Sequence, residues 1–157
     1  MRYLYILMIS FCVGLLTCSC STLDDGEPRR LSVLVEQEMI DIVNDFFTDC
    51  EKVLGSEKCR PAVELQGKIR PLKENTLGVC YIYDNPEYLR RIYVDDDVTD
   101  PDLFRVVLYH ELMHCVLEFP HNDDELDIMN SSADIISAKN IRYYWDFYVH
   151  KSLVRGN

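Results

Sequence analysis

Residues 100–120, DPDLFRVVLYHELMHCVLEFP, carry their own start and stop signals for a helix. Asp100 can cap the N-terminus, Pro101 suits the first helical position, and Asp102 favours the positive end of the helix dipole. The helix is predicted from Leu103 to about Phe119, because Pro120 cannot continue it. His110 and His114 stand four apart in the pentapeptide HELMH, so they share one helical face and can bind one metal. Glu111 sits one position round from His110. It can avoid coordination and reach a water held at the metal, acting as general base. His121, just past the helix end, can fold back under the first two histidines. Three histidines suit zinc and leave one position open for water. Asp123 or Asp124 is the substitute third ligand; Glu118 would crowd the site, lying four past His114 on the same helix.

The first residues read as an address. Met1 to Thr17 carries one positive charge, Arg2, and an almost unbroken apolar run. The run is short of the roughly 20 residues that a transmembrane helix needs and suits a signal-peptide core. Cys18-Ser19-Cys20-Ser21 follows and resembles the bacterial lipobox. Cys18 has leucines at the right distance upstream, whereas Cys20 has the better small residue before it, so both remain candidates for lipidation. Residues 1–20 are therefore expected to be a signal peptide with lipobox, 21–30 a polar tether, and 31–157 the folded domain. The expected location is the bacterial cell envelope, lipid-anchored and outside the cytoplasm.

Cysteine usage agrees with export. Beyond residue 20 there are four cysteines, Cys50, Cys59, Cys80 and Cys115. Four cysteines in an exported domain suggest two disulfides, with three possible pairings. Cys50 and Cys59 are close in sequence and flank a predicted helix end, which favours that pair; Cys80 with Cys115 follows by elimination. A four-cysteine zinc site is disfavoured because no short C-x-x-C pair is present.

Elsewhere the pattern is mixed. Leu31 to about Leu54 has helical spacing, with Gly55 as its stop. Residues 62–69 read as a strand, Thr76–Tyr83 as a second, and Leu89–Val94 as a third that can pair with the second as a hairpin. Asp95-Asp96-Asp97 reads as a solvated turn, since calcium loops space their ligands at alternate positions. A final helix is expected from Ser131 or Ser132. Its aromatic stripe, Tyr143, Tyr144, Trp145, Phe147 and Tyr148, is read as core packing. His150 is read as a surface residue. The fold class expected is α+β, a short mixed sheet with the HExxH helix and a C-terminal helix.

Residues 110–130, HELMHCVLEFPHNDDELDIMN, resemble the zinc-binding segment of the metzincin metallopeptidases. The resemblance implies a small zincin-like domain, zinc on His110, His114 and His121, and Glu111 as general base. It also implies Met129, in Asp127-Ile128-Met129-Asn130, as the apolar floor of a methionine turn. The usual segment is HExxHxxGxxH; here one extra residue precedes the third histidine and no glycine lies between His114 and His121. The turn must then be made by Glu118 or Phe119, with Pro120 fixing the exit. The longer spacing also resembles small bacterial predicted metallopeptidases with HELGHC-like helices, with Met113 in place of the glycine. In metzincins a strand edging the cleft holds extended substrate, and by resemblance residues 89–94 or 76–83 would do so. The function implied is zinc endopeptidase action on a peptide or protein substrate. The alternative is a non-catalytic zinc-binding or interaction lipoprotein. Nucleic acid is excluded as the main partner by composition: 16 Lys+Arg face 27 Asp+Glu, a formal net charge of −11.

Overall fold

The computed structural model describes residues 33–59, 64–85, 88–124, 127–131 and 138–155, except for the side chains of 138–144. The expected signal, lipobox and tether, with Cys18 and Cys20, lie outside these residues. Among those described, no helix is long and apolar enough to cross a membrane.

The protein is a mixed α+β domain. Strand β1 (Val33–Val35) leads through a short 3-10 turn (Gln37–Met39) into helix α1 (Ile40–Leu54), and the chain returns as β2 (Leu65–Ile69). β1 and β2 run parallel, which requires such a crossover between them. β3 (Gly78–Tyr81) and β4 (Arg90–Val94) pair antiparallel, and β4 also pairs parallel with β2. The sheet order is β1-β2-β4-β3, so β3 lies at an edge and β4 is interior. Helix α2 (Pro101–Leu117) lies across β3 and β4 and is backed by α1 and α3 (Ala138–Arg155).

The helical spacing from Leu31 predicts a helix starting there, yet Val33–Val35 is a strand and the α-helix begins only at Ile40. The β-branched Val33 and Val35 favour an extended backbone, and tertiary contacts fix it. Glu36 N–H donates to Gly67 O at 3.3 Å, and the Glu36 carboxylate accepts from Ile69 N–H at 2.9 Å. Gly67 permits this approach: a Cβ there would meet Val35 Cγ1 at 2.8 Å and Met39 Sδ at 2.9 Å. The other strands fall within their predicted ranges, and residues 78–81 and 90–94 form the expected hairpin.

The α2 start is as predicted. Asp100 Oδ1 accepts from the N–H groups of Asp102 and Leu103 at 3.0 and 2.9 Å, with Pro101 at the first position. The helix ends two residues earlier than expected, at Leu117. Its middle is buried on several sides, because the sheet covers one face and the two other helices cover another. Tyr109 is fully buried, packs on Phe46 and Trp145, and donates its hydroxyl proton to Asp49 at 2.9 Å. It therefore faces α1 and not the histidines.

Both disulfides form as expected, Cys50–Cys59 closing the end of α1 and Cys80–Cys115 joining β3 to α2. Asp95-Asp96-Asp97 is a turn in which Asp95 accepts backbone N–H bonds from Leu72 and Asp97. Of the two residues at which the last helix is expected to begin, Ser131 is a bend outside any helix and residue 132 lies outside the described residues. Within α3, Trp145 and Tyr148 face the core as read, but Phe147 is 56% exposed. Phe147 turns outward beside the exposed His150 and Val154, so the stripe is wider than the buried face it was assigned to.

Candidate metal centre

Three turns of chain bring the histidines together. His110 and His114 project from the same face of α2. Glu118 then takes the left-handed conformation, φ 58°, and its N–H bonds back to His114 O at 3.1 Å. That reverses the chain within one residue and delivers His121 beneath the helix. A non-glycine residue in this region costs about 1 kcal/mol or more, so something must hold it. Arg90 does: its guanidinium donates to Cys115 O and to the Glu118 carboxylate. Arg90 is almost buried on β4, so the sheet itself fixes the helix end that the third histidine depends on.

The Nε2 atoms of His110, His114 and His121 lie 2.9–3.0 Å from one another. Hydrogen bonding does not account for this triangle. His110 Nδ1 is 2.6 Å from Ile128 O, and His114 Nδ1 is 2.6 Å from Phe119 O. A carbonyl oxygen only accepts, so both Nδ1 atoms carry a proton, and in the neutral rings both Nε2 lone pairs are bare. Two bare nitrogens facing each other at 3.0 Å repel unless a cation sits with them. The dimensions suit one: with edges of 2.9–3.0 Å each nitrogen is about 1.7 Å from the triangle's centre, within the 2.0–2.1 Å reach of a zinc–nitrogen bond. Burial holds His110 down at about 4, and the charges of the neighbouring histidines act the same way; burial also lowers His114. Neutral imidazoles are what a metal requires.

The histidine cluster is braced from α3. Ile128 O, which fixes the His110 tautomer, belongs to the turn 127–130. Asp127, 1% exposed, accepts from Ser152 Oγ at 2.6 Å and from Met129 N–H at 2.9 Å. Lys151 and Arg155 hold Asp124 in the same loop. Met129 is buried in this turn, and its carbonyl accepts from Asn122 N–H at 3.0 Å, next to His121. Asp123 and Asp124 do not join the histidines, and Glu118 is turned to Arg90. Among the described residues no fourth His, Cys, Asp or Glu belongs to the cluster.

No protein-family model, curated protein or solved structure matches this chain.

Glu111 lies beside the three histidines but outside their cluster, 5% exposed. Burial raises its carboxyl to about 8, and a hydrogen bond from the Cys80 backbone pulls the other way. Both groups line a cavity of about 840 Å³ between α2 and the β3 edge, with the three histidines, Leu77, Gly78, Ile82, Val107, Ile128 and Asn130. Of the two segments that resemblance offered as the cleft edge, β3 borders this cavity and β4 does not.

The raised Glu111 carboxyl makes a prediction for the metal-free protein. Between its ordinary 4.5 and about 8 the native state keeps a proton that the unfolded chain has released, so stability falls as pH rises. His110 acts oppositely, but only between about 4 and 6.5. From pH 6.5 to 8 the Glu111 effect stands alone, and stability is expected to fall by about 2 kcal/mol. Thermal melts of metal-free protein across that range should show the decline, and Glu111→Gln should flatten it.

Arg90, Gly78 and Asp127 were not singled out by sequence reasoning. Nothing local marks them: Arg90 sits beside an exposed Arg91, and only strand pairing decides which of the two turns inward. Asp127 gave a signal only in its place two residues before Met129.

Proposed function

We propose that this protein is a zinc-dependent metallopeptidase, an endopeptidase holding zinc on His110, His114 and His121. The observation that carries the reading is the convergence of three Nε2 atoms at 2.9–3.0 Å, two of them unprotonated in the neutral ring, beside the buried Glu111 carboxyl. Zinc held by these three imidazoles would supply Lewis acidity toward a water and a peptide carbonyl. Glu111 accepts the water's proton on a carboxylate oxygen and passes it to the leaving nitrogen. Its seclusion in the cavity keeps bulk solvent from competing for that proton. Three histidines with no fourth donor in the described cluster suit a site with an open position better than a closed structural one.

The edge of β3, which pairs with no further strand among the described residues, suits an extended peptide held by backbone pairing along the cavity. Leu77, Ile82 and Val107 favour uncharged side chains there. The resemblance of residues 110–130 to metzincins supports the same reading, with Met129 as the buried floor of the turn. The two disulfides suit an oxidising compartment. With the lipobox-like sequence, they support a domain tethered through Cys18 or Cys20 to a bacterial envelope membrane.

The test is hydrolysis of a quenched fluorescent peptide library. Activity should disappear with 1,10-phenanthroline and return on adding zinc. Hydrolysis indifferent to the chelator would overturn the proposal, and zinc uptake with no hydrolysis of any peptide would favour the non-catalytic alternative.

A further inference from the structure

Glu111 projects from α2, but the groups that set its carboxylate belong to β3. A Cβ added at Gly78 would lie 2.8 Å from Glu111 Cγ, 2.8 Å from Glu111 Oε1 and 2.7 Å from Val107 Cγ1. The strand thus lies against the helix where any side chain would push the carboxylate aside. Cys80 shares a face of β3 with Gly78, two residues on. Its backbone N–H donates to the Glu111 carboxylate. The ladder explains why this donor is free to do so. Leu77 O accepts from Asp95 N–H at 2.9 Å, and alternation along an antiparallel pair turns the backbone groups of 78 and 80 away from β4. Cys80 Sγ is in turn bonded to Cys115, the residue after His114. One covalent link therefore joins the strand that seats Glu111 to the helix that carries two of the histidines.

We propose that Gly78 and Cys80 are positioning residues for Glu111, and that the Cys80–Cys115 disulfide clamps β3 to α2 so that the carboxylate keeps one fixed relation to the three histidines. This rests on the metallopeptidase reading above. Cys50–Cys59 touches neither the cavity nor Glu111 and serves as the comparison for general loss of a disulfide.

The test uses acetohydroxamate on the zinc-loaded full chain, purified in detergent. Its oxygens chelate zinc and its hydroxyl proton passes to a neighbouring carboxylate, so its affinity reports where Glu111 points without any substrate. Calorimetry gives that affinity, and competition with a chelator gives zinc affinity separately. Cys80→Ser/Cys115→Ser and Gly78→Ala are each expected to weaken acetohydroxamate by about tenfold, the worth of one charge-assisted hydrogen bond. Zinc affinity should stay within about threefold of the parent, and neither change should add to Glu111→Gln. Cys50→Ser/Cys59→Ser should leave acetohydroxamate affinity alone. Unchanged acetohydroxamate affinity in both β3 variants would overturn the proposal, as would zinc affinity falling in step with it. Gly78→Ala keeps the disulfide and carries the test if the double cysteine variant does not fold. A parent chain that takes up no zinc sinks the metallopeptidase reading and this inference together; a parent that binds zinc and acetohydroxamate beside indifferent variants sinks this inference alone.

Discussion

Glu111→Gln is expected to reduce peptide hydrolysis by about 10³-fold while zinc affinity is retained, since a positioned general base contributes 10²- to 10⁴-fold. The two halves of the result come from different atoms. In the proposed site the metal ligands are the three imidazoles, and the Glu111 carboxylate lies outside their cluster. Glutamine has nearly the same shape, and its amide oxygen can still accept from the Cys80 N–H that glutamate now receives. It lacks only the capacity to take a proton. The seat beside Gly78 should accommodate it without rearrangement, because no new carbon is added against β3. Full activity in the variant would remove Glu111 from the mechanism. Loss of zinc along with activity would instead mean that the carboxylate holds the metal, directly or through its fold.

His121→Ala is expected to weaken zinc by at least about a hundredfold, the upper end of what loss of even a supporting partner costs. His121 is exposed, so its removal leaves no cavity in the core. Its backbone turn is fixed independently by Arg90 on Cys115 O and Glu118. The variant should therefore melt like the metal-free parent. The difference should appear on adding metal: zinc at a thousand times its dissociation constant stabilises the parent by about 4 kcal/mol, and the variant far less. Equal stabilisation of both would show that His121 is a loop residue and that the site has another third ligand.

Much of this site was legible in the chain because it is local. HELMH places two imidazoles and a carboxylate by helical periodicity alone, and Asp100, Pro101 and Pro120 bound the helix that carries them. His121 was legible for the same reason, seven residues on from His114, once a reversal at Glu118 or Phe119 was allowed. The structure makes that reversal at Glu118, with φ 58°. The disulfides followed from exported-domain logic and elimination. What was not legible depends on distant contacts. Val33–Val35 is a strand because Gly67 and Ile69 bond to Glu36, more than thirty residues earlier. Arg90 steadies a helix end that begins to matter only once β4 lies beneath α2. Gly78 reads as an ordinary strand glycine until Glu111 is packed against it. Asp127 becomes a brace only when Ser152 and Arg155 arrive on α3. In each case the residue's role is set by which element lies opposite, and no spacing in the chain reports that.

The most direct test of the account is the zinc content of the purified protein after equilibrium dialysis, measured by elemental analysis for the parent, Glu111→Gln and His121→Ala. One zinc per chain in the parent and in Glu111→Gln, with little or none in His121→Ala, is the predicted result. A parent chain that takes up no zinc from micromolar metal would contradict it and leave the three converging histidines without a function.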